Sequence, residues 1–230
     1  MSADERREAI IAAVIPVFAA KGFRGTTTKD LAEASGVSEA LIYRHFPSKE
    51  SIYESIQSRC CRQLTERAGE LMIKMEPSTS SLVFGVYLMV AGPLMGSPGD
   101  VVNHNIIRQL FLRSILEDGE LARSFLASRL ECWMDRLIQC LEAGVGAGDI
   151  VPSAEPARNR IWFAHHLAVG VANMALSQGG PIVDHDTDIE GLVSQTVKFA
   201  LRGIGLTEKA IETHFNPAAF AIFYQSGLSK

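Results

Sequence analysis

Through most of the chain, apolar residues return every three or four positions, the spacing of one face of a helix. Over residues 4–21 the repeat is Ala9, Ile10, Ala13, Val14, Val17, Phe18 and Ala20. Asp4 and Glu5 suit the electropositive start of that helix, and Gly22 suits the position just past its end. Pro16 lacks the N–H that a helix interior uses, so a kink or local break is expected near Ala12. Thr27 then reads as an N-cap, with Asp30 three residues on as its capping-box partner. Leu31, Ala32 and Ala34 face inward, Gly36 takes a left-handed turn and Val37 plugs the core beneath it. Ser38 caps a short helix over 39–45; Pro47 and Ser48 stop it and start the next at Lys49.

The pattern continues to the end of the chain. The helix from Lys49 runs through Leu64, Ala68, Leu71 and Met75 and ends before Pro77. Further helices are predicted over 81–95, 101–117, 120–145, 157–178 and 188–204, separated by Gly- and Pro-rich breakers at 96–99, 146–149 and 179–181. No segment alternates as a strand does, so the fold class is all-α. Residues 22–56 stand out: two short helices joined by a tight Gly-Val turn form a helix-turn-helix, a device for placing one helix end in the major groove of DNA.

Composition changes this picture little. With 47% hydrophobic residues a chain of 230 can bury a real core. The net charge of −4 counts mildly against DNA binding, yet phosphate contact depends on a local patch rather than the total. The mixed charges of residues 1–10 do not read as a signal peptide. The apolar run 82–95 contains Gly85, Gly92 and Pro93 and is too short to span a bilayer, so no membrane partner is expected. Cys60, Cys61, Cys132 and Cys140 lack CxxC spacing and read as buried, reduced thiols of a cytoplasmic protein; a redox pair stays open.

Gly22 and Phe23, Thr26 and Thr27, Leu31 and Ala32, residues 34–38, Tyr43 to Phe46, and Ser48 to Glu50 together resemble the signature of TetR-family transcriptional regulators. The likeness covers about the first sixty residues; beyond them the chain matches in length and helical character. It implies a DNA-binding domain over 1–50 and a helical effector-binding and dimerisation domain over 51–206. Residues 207–230, where Phe220, Ile222, Phe223 and Tyr224 would be costly to expose, read as an extension packed on the core or a partner, with a frayed tail as the alternative. The resemblance also assigns roles within the first domain. It implies that Glu39, Ala40 and Leu41 meet base edges, Glu39 accepting from cytosine and Ala40 or Leu41 touching a thymine methyl. Tyr43, His45 and Lys49 are implied phosphate contacts, with Thr26 and Thr27 offering hydroxyls and N–H groups beside them. Thr28 and Ser38 flank this surface, and Arg24 and Arg44 extend its basic edge. Leu41 is bulkier than the residue often found there, and Glu39 repels phosphate. Lys49 at a helix start opposes the dipole unless an anion is present.

The helix predicted over 157–178 is apolar nearly all round beyond Trp162. Ala164, Ala168, Ala172 and Ala175 give it a face of small side chains, and Leu192, Thr196 and Ala200 lie on the stripe of the following helix. Paired with a second copy these two helices make a four-helix interface, which matches where TetR-like proteins dimerise. A homodimer then reads an inverted repeat. Candidate linings of an effector cavity are Phe84, Tyr87, Met89, Met95, His104, Arg108, Phe111, Trp133, Trp162 and His166, for an effector that is mainly apolar. Plain core is the competing reading for each. His165 and His166 diverge by about 100° on a helix, so one buried and one surface histidine is expected rather than a metal pair. No cofactor or metal is expected, and no hydrolytic, phosphate-loop or HExxH pattern points to an enzyme. The expected function is a repressor released from its operator by an effector. Control by a protein partner, activation instead of repression, and a helical enzyme remain open.

Overall fold

The computed structural model describes residues 2–96, 104–127, 132–176 and 180–227, with the backbone alone at 57, 59–70, 125, 132, 226 and 227. Among the described residues there are twelve helices, no strand, and one isolated antiparallel bridge between Ile150 and Leu206. The chain divides into two compact units: Met1–Leu64 with Asp100–Ser128, and Thr65–Gly99 with Arg129–Lys230.

The first unit holds α1 (Ala3–Gly25), α2 (Thr28–Ser35), α3 (Glu39–His45), the start of α4 (Lys49–Lys74), α6 (His104–Leu116) and α7 (Glu120–Leu126). Its core joins Ile10, Val14 and Phe18 of α1 to Leu31 of α2, Ile42 and Phe46 at α3, Ile52 and Ile56 of α4, and Leu110 of α6. No break occurs near Ala12. Pro16 sits on the exposed side of α1, where water can satisfy the carbonyl it leaves unpaired, and the backbone departs from helical angles at Gly22 instead. There φ is +73°, and a Cβ would lie 1.8 Å from Glu117 Oε1, so only glycine fits. The same carboxylate accepts from the Phe23 N–H at 3.1 Å, and Arg113 donates to the Ala20 carbonyl at 2.9 Å. The C-terminal end of α6 is thereby fastened to the turn at Gly22 near the end of α1. Phe18, Phe23 and Tyr53 form a ring cluster above that turn, and burial with Glu117 and Asp118 nearby pushes the Tyr53 phenol up to about 12.

The second unit is built around α5 (Thr79–Met95), which is buried along almost its whole length. Packed on it are α8 (Cys132–Gly146), α9 (Ala157–Asn173), α10 (Ile189–Ile204), α11 (Glu208–His214) and α12 (Pro217–Gly227). The start predicted at 101 and the stretch bridging 120–145 fall partly outside the described residues, as do the side chains of Cys60, Cys61 and Cys132. Cys140 is buried, and burial raises its thiol pKa. α9 ends at Asn173, short of 178.

The face of small side chains expected to meet a second chain is turned inward. Ala164, Ala168, Ala172, Thr196 and Ala200 are all buried within one chain, Ala168 completely, where α9 and α10 pack on each other and on α5. Small side chains do permit close helix approach, but the partner is in the same chain. Leu192 is half-buried, and Ala175 is exposed in the turn beyond α9. The outward faces carry Phe163 and Phe199 instead, 64% and 66% exposed.

The extension packs on α5. Phe220 meets Phe84 and Tyr87 with centroids 5.3 Å apart in each case, Phe223 meets Phe84 at 5.2 Å, and the Tyr224 hydroxyl donates to the Gly96 carbonyl at 2.6 Å. α11 is tied to the start of α5 through polar groups. Asp149 Oδ2 accepts from Thr79 Oγ1 at 2.7 Å and meets His214 Nε2 at 3.2 Å, while His214 Nδ1 meets Ser80 Oγ at 2.9 Å. The Thr79 hydroxyl, followed by His214, holds the Asp149 carboxyl below its ordinary value. A depressed carboxylate stabilises the fold above its unfolded pKa, and that stabilisation disappears as pH falls through the folded value. Asp149→Asn is therefore expected to lower the urea midpoint at pH 6. The gap to wild type should narrow steadily as pH falls below about 4, measured by circular dichroism across a pH series.

Candidate nucleic-acid interface

Local chemistry fixes each end of the helix-turn-helix. Thr27 Oγ1 accepts from the Asp30 N–H at 3.2 Å, and the Asp30 carboxylate returns to the Thr27 N–H at 2.9 Å. Lys21, 2.6 Å away, and then Thr27 hold the Asp30 carboxyl well below the usual carboxylate range, so the cap stays charged. Gly36 ends α2 at φ +64°. Ser38 Oγ accepts from the Leu41 N–H at 3.2 Å and caps α3. Ser48 and Ser51 exchange side-chain and backbone hydrogen bonds, both 3.2 Å, at the start of α4.

This leaves one end of α3 in solvent. Ser38, Glu39 and Ala40 are exposed, and Leu41 is half-buried. Along the same helix Tyr43, 49% exposed, and Arg44 face out, while Ile42 and Phe46 are fully buried. Arg24 and Thr27 are exposed, and Thr28 and His45 half-buried. The Tyr43 hydroxyl lies 2.9 Å from Thr28 Oγ1, a link between α3 and the start of α2. These hydroxyls supply each other's polar partner, and each keeps capacity for another.

Two expected contacts have other duties. Thr26 is 2% exposed, and its hydroxyl donates to the Gly22 carbonyl at 2.6 Å, so its side chain is withdrawn from the surface. Lys49 Nζ donates to the Phe23 and Thr26 carbonyls at 2.9 and 3.0 Å and sits 4.3 Å from the Phe23 ring centre. Two of its three N–H groups thus secure the loop before α2, which answers how a lysine is tolerated at the start of α4. Arg7 escaped the sequence reading because it lies in a charged run at the start of α1, yet it contacts the C-terminal end of α3.

The residues nominated for an effector fall in both units. His104, Arg108 and Phe111 lie on α6, half-buried, and burial lowers the Arg108 pKa. In the second unit Phe84 and Tyr87 are buried under α12, and Trp133 is buried with an indole N–H that finds no partner among the described residues. Trp162 is half-buried and stacks on His166 at 5.7 Å. His165 is buried and His166 exposed, and among the described residues no three metal-ligating side chains converge. No described helix is long and apolar enough to cross a membrane.

Comparison with known proteins bears on the same stretch. Residues 10–56 match the family of bacterial regulatory proteins called tetR. Over 99 residues the chain is 33% identical to the nucleoid occlusion factor SlmA of Mannheimia succiniciproducens, covering 43% of this chain and 45% of that protein. Over 55 residues it is 42% identical to IcaR of Staphylococcus aureus, a negative transcriptional regulator of the biofilm operon icaADBC, covering 24% and 29%. The chain thus spans less than half the length of these curated relatives. A tetR-family regulatory protein from Rhodococcus RHA1 shares the fold over 88% of this chain and 98% of its own, with a TM-score of 0.64 at 22% identity.

Removing the Ser38 hydroxyl should loosen α3 without disturbing the core. Ser38→Ala is expected to cost about 1 kcal/mol, the usual value of a lost N-cap. Phe46→Ala, which empties a fully buried site, should cost about 3–5 kcal/mol. Urea unfolding of both variants separates the two effects.

Proposed function

We propose, from the match of residues 10–56 to the tetR family of bacterial regulatory proteins, that the N-terminal part of this chain is a DNA-binding domain and that the whole protein is an operator-binding repressor acting as a homodimer. The observation that carries the reading is the presentation of α3: its capped N-terminal end stands in solvent while Ile42 and Phe46 anchor its other side. Glu39, Ala40 and Leu41 are the base-reading residues. Tyr43, Thr28, Thr27, Arg24, Arg44 and His45 surround them with hydroxyl and cationic groups that suit phosphates, and Lys49 retains one N–H for the same purpose. The sense of regulation follows the negative regulator IcaR.

A second copy docks on the outward faces of α9 and α10. Phe163 and Phe199 supply exposed aromatic rings there. At Gly170 and Gly203 an added Cβ would meet nothing within 4 Å, which leaves room for close helix approach. A dimer about a two-fold axis brings two α3 helices to one face of DNA, about 34–36 Å apart. The effector is a mainly apolar small molecule. The predominantly apolar residues buried in the second unit support this class, and the Trp133 indole N–H, which has no partner among the described residues, suits a polar anchor for it. Binding favours a conformation with a different spacing of the two heads, by no more than the effector's difference in affinity for the two states.

Footprinting on the region upstream of the protein's own gene tests the reading. Protection of an inverted repeat at low salt is expected; absence of protection on any inverted repeat there contradicts it. Phe163→Glu with Phe199→Glu should shift sedimentation from dimer to monomer and weaken operator binding, while each chain remains folded.

A further inference from the structure

We propose that Arg7 is a positioning residue for DNA reading: it staples the C-terminal end of α3 to α1 and α4, setting how the base-reading end is presented without touching DNA itself. The inference rests on the DNA-reading role proposed above. Three contacts on one half-buried guanidinium carry it. Arg7 Nη1 donates to the carbonyl of His45, the last residue of α3. Arg7 Nη2 lies 3.5 Å from Ser55 Oγ on α4. The guanidinium carbon lies 4.3 Å from the ring centre of Phe46, the fully buried cap residue of α3.

Each contact suits a cation at that place. The last carbonyls of a helix lack internal partners, and the C-terminal end of its dipole is negative. A guanidinium stacks on an aromatic face while its fork donates in the plane, which lets one side chain serve the carbonyl, the hydroxyl and the ring together. An ammonium offers no such fork.

The consequence for α3 follows from its length. Seven residues make few internal hydrogen bonds, so such a helix takes its orientation from its attachments. Ser38 caps the exposed N-terminal end, Ile42 anchors the middle, Tyr43 links it to α2 through Thr28, and Phe46 with Arg7 holds the C-terminal end. With the last tie cut, the helix tilts about its buried side chains, and the displacement reaches Glu39, Ala40 and Leu41. Base-edge hydrogen bonds are directional, whereas phosphate attraction is long-ranged and tolerant. Loss of Arg7 therefore erodes discrimination between sequences rather than attraction to DNA in general.

The test compares Arg7→Met, which keeps an unbranched apolar stem, and Arg7→Lys, which keeps the charge, with wild type. Affinity is measured by fluorescence anisotropy for the footprinted inverted-repeat duplex and for a scrambled duplex of equal length, over a series of salt concentrations. Amide exchange of Leu41, Ile42 and Phe46 is followed without DNA. Both variants should bind the inverted repeat about tenfold more weakly, comparable to one lost base contact, and the scrambled duplex within about twofold of wild type. Their salt slope should be unchanged, and the α3 amides should exchange faster. Equal weakening on both duplexes, with the salt slope of Arg7→Met lower by about one, makes Arg7 a phosphate contact and overturns the inference. So does unaltered affinity for both duplexes. A wild-type protein that fails to distinguish the duplexes refutes the DNA-reading role and this inference with it. Amide exchange then still decides whether Arg7 braces α3.

Discussion

A seven-residue helix has no stability of its own, and the function proposed for this protein depends on one. α3 persists because Ile42 and Phe46 are sunk in a core to which α1, α2, α4, α6 and α7 also contribute. Burial of those two side chains orients the helix with Ser38, Glu39 and Ala40 outward. Fold and function are thus joined at a single constraint: whatever seats Ile42 and Phe46 also aims the reading end. Arg7 on α1 serves that seat, lying 4.3 Å from the Phe46 ring centre and donating to the His45 carbonyl. Lys49 on α4 does the like for the loop before α2, 4.3 Å from the Phe23 ring centre and donating to the Phe23 and Thr26 carbonyls.

The second unit obeys a different economy. α5 has almost no polar face, so it must be surrounded, and α8, α9, α10, α11 and α12 do so. Small residues on α9 and α10 let the helices close upon each other and upon α5, which leaves Phe163 and Phe199 outside. The aromatic residues of α12 cover Phe84 and Tyr87, so the extension completes this core. The polar tie of Asp149, His214, Ser80 and Thr79 then locks α11 to the same helix.

Local features were legible in the sequence because their causes are local. The caps at Thr27, Ser38 and Ser48 and the left-handed turn at Gly36 follow from residues at most three positions apart, and the structure has them all. Periodicity also identified α5, α9 and α10, with boundaries close to those observed except at the end of α9, which stops at Asn173 rather than 178. What escaped was direction and distance. Periodicity marks Ala164, Ala168 and Ala172 as one face but is silent on which helix fills it. Thr26 looked like a neighbour of Thr27, yet its side chain turns in to reach Gly22. Pro16 weakens a helix in isolation, but packing of Val14, Ile15 and Phe18 carries α1 through it. Arg7 and His45, or Asp149 and His214, meet only after the chain has folded, and nothing in their spacing announces the meeting.

Selection of bound duplexes from a random pool by the purified protein tests the central claim most directly, that the exposed end of α3 reads bases as one half of a two-fold pair. One inverted repeat should be enriched, its half-sites about ten base pairs apart, centre to centre, or a multiple of that. Enrichment of a single unrepeated site, or of no sequence at all, would contradict that claim.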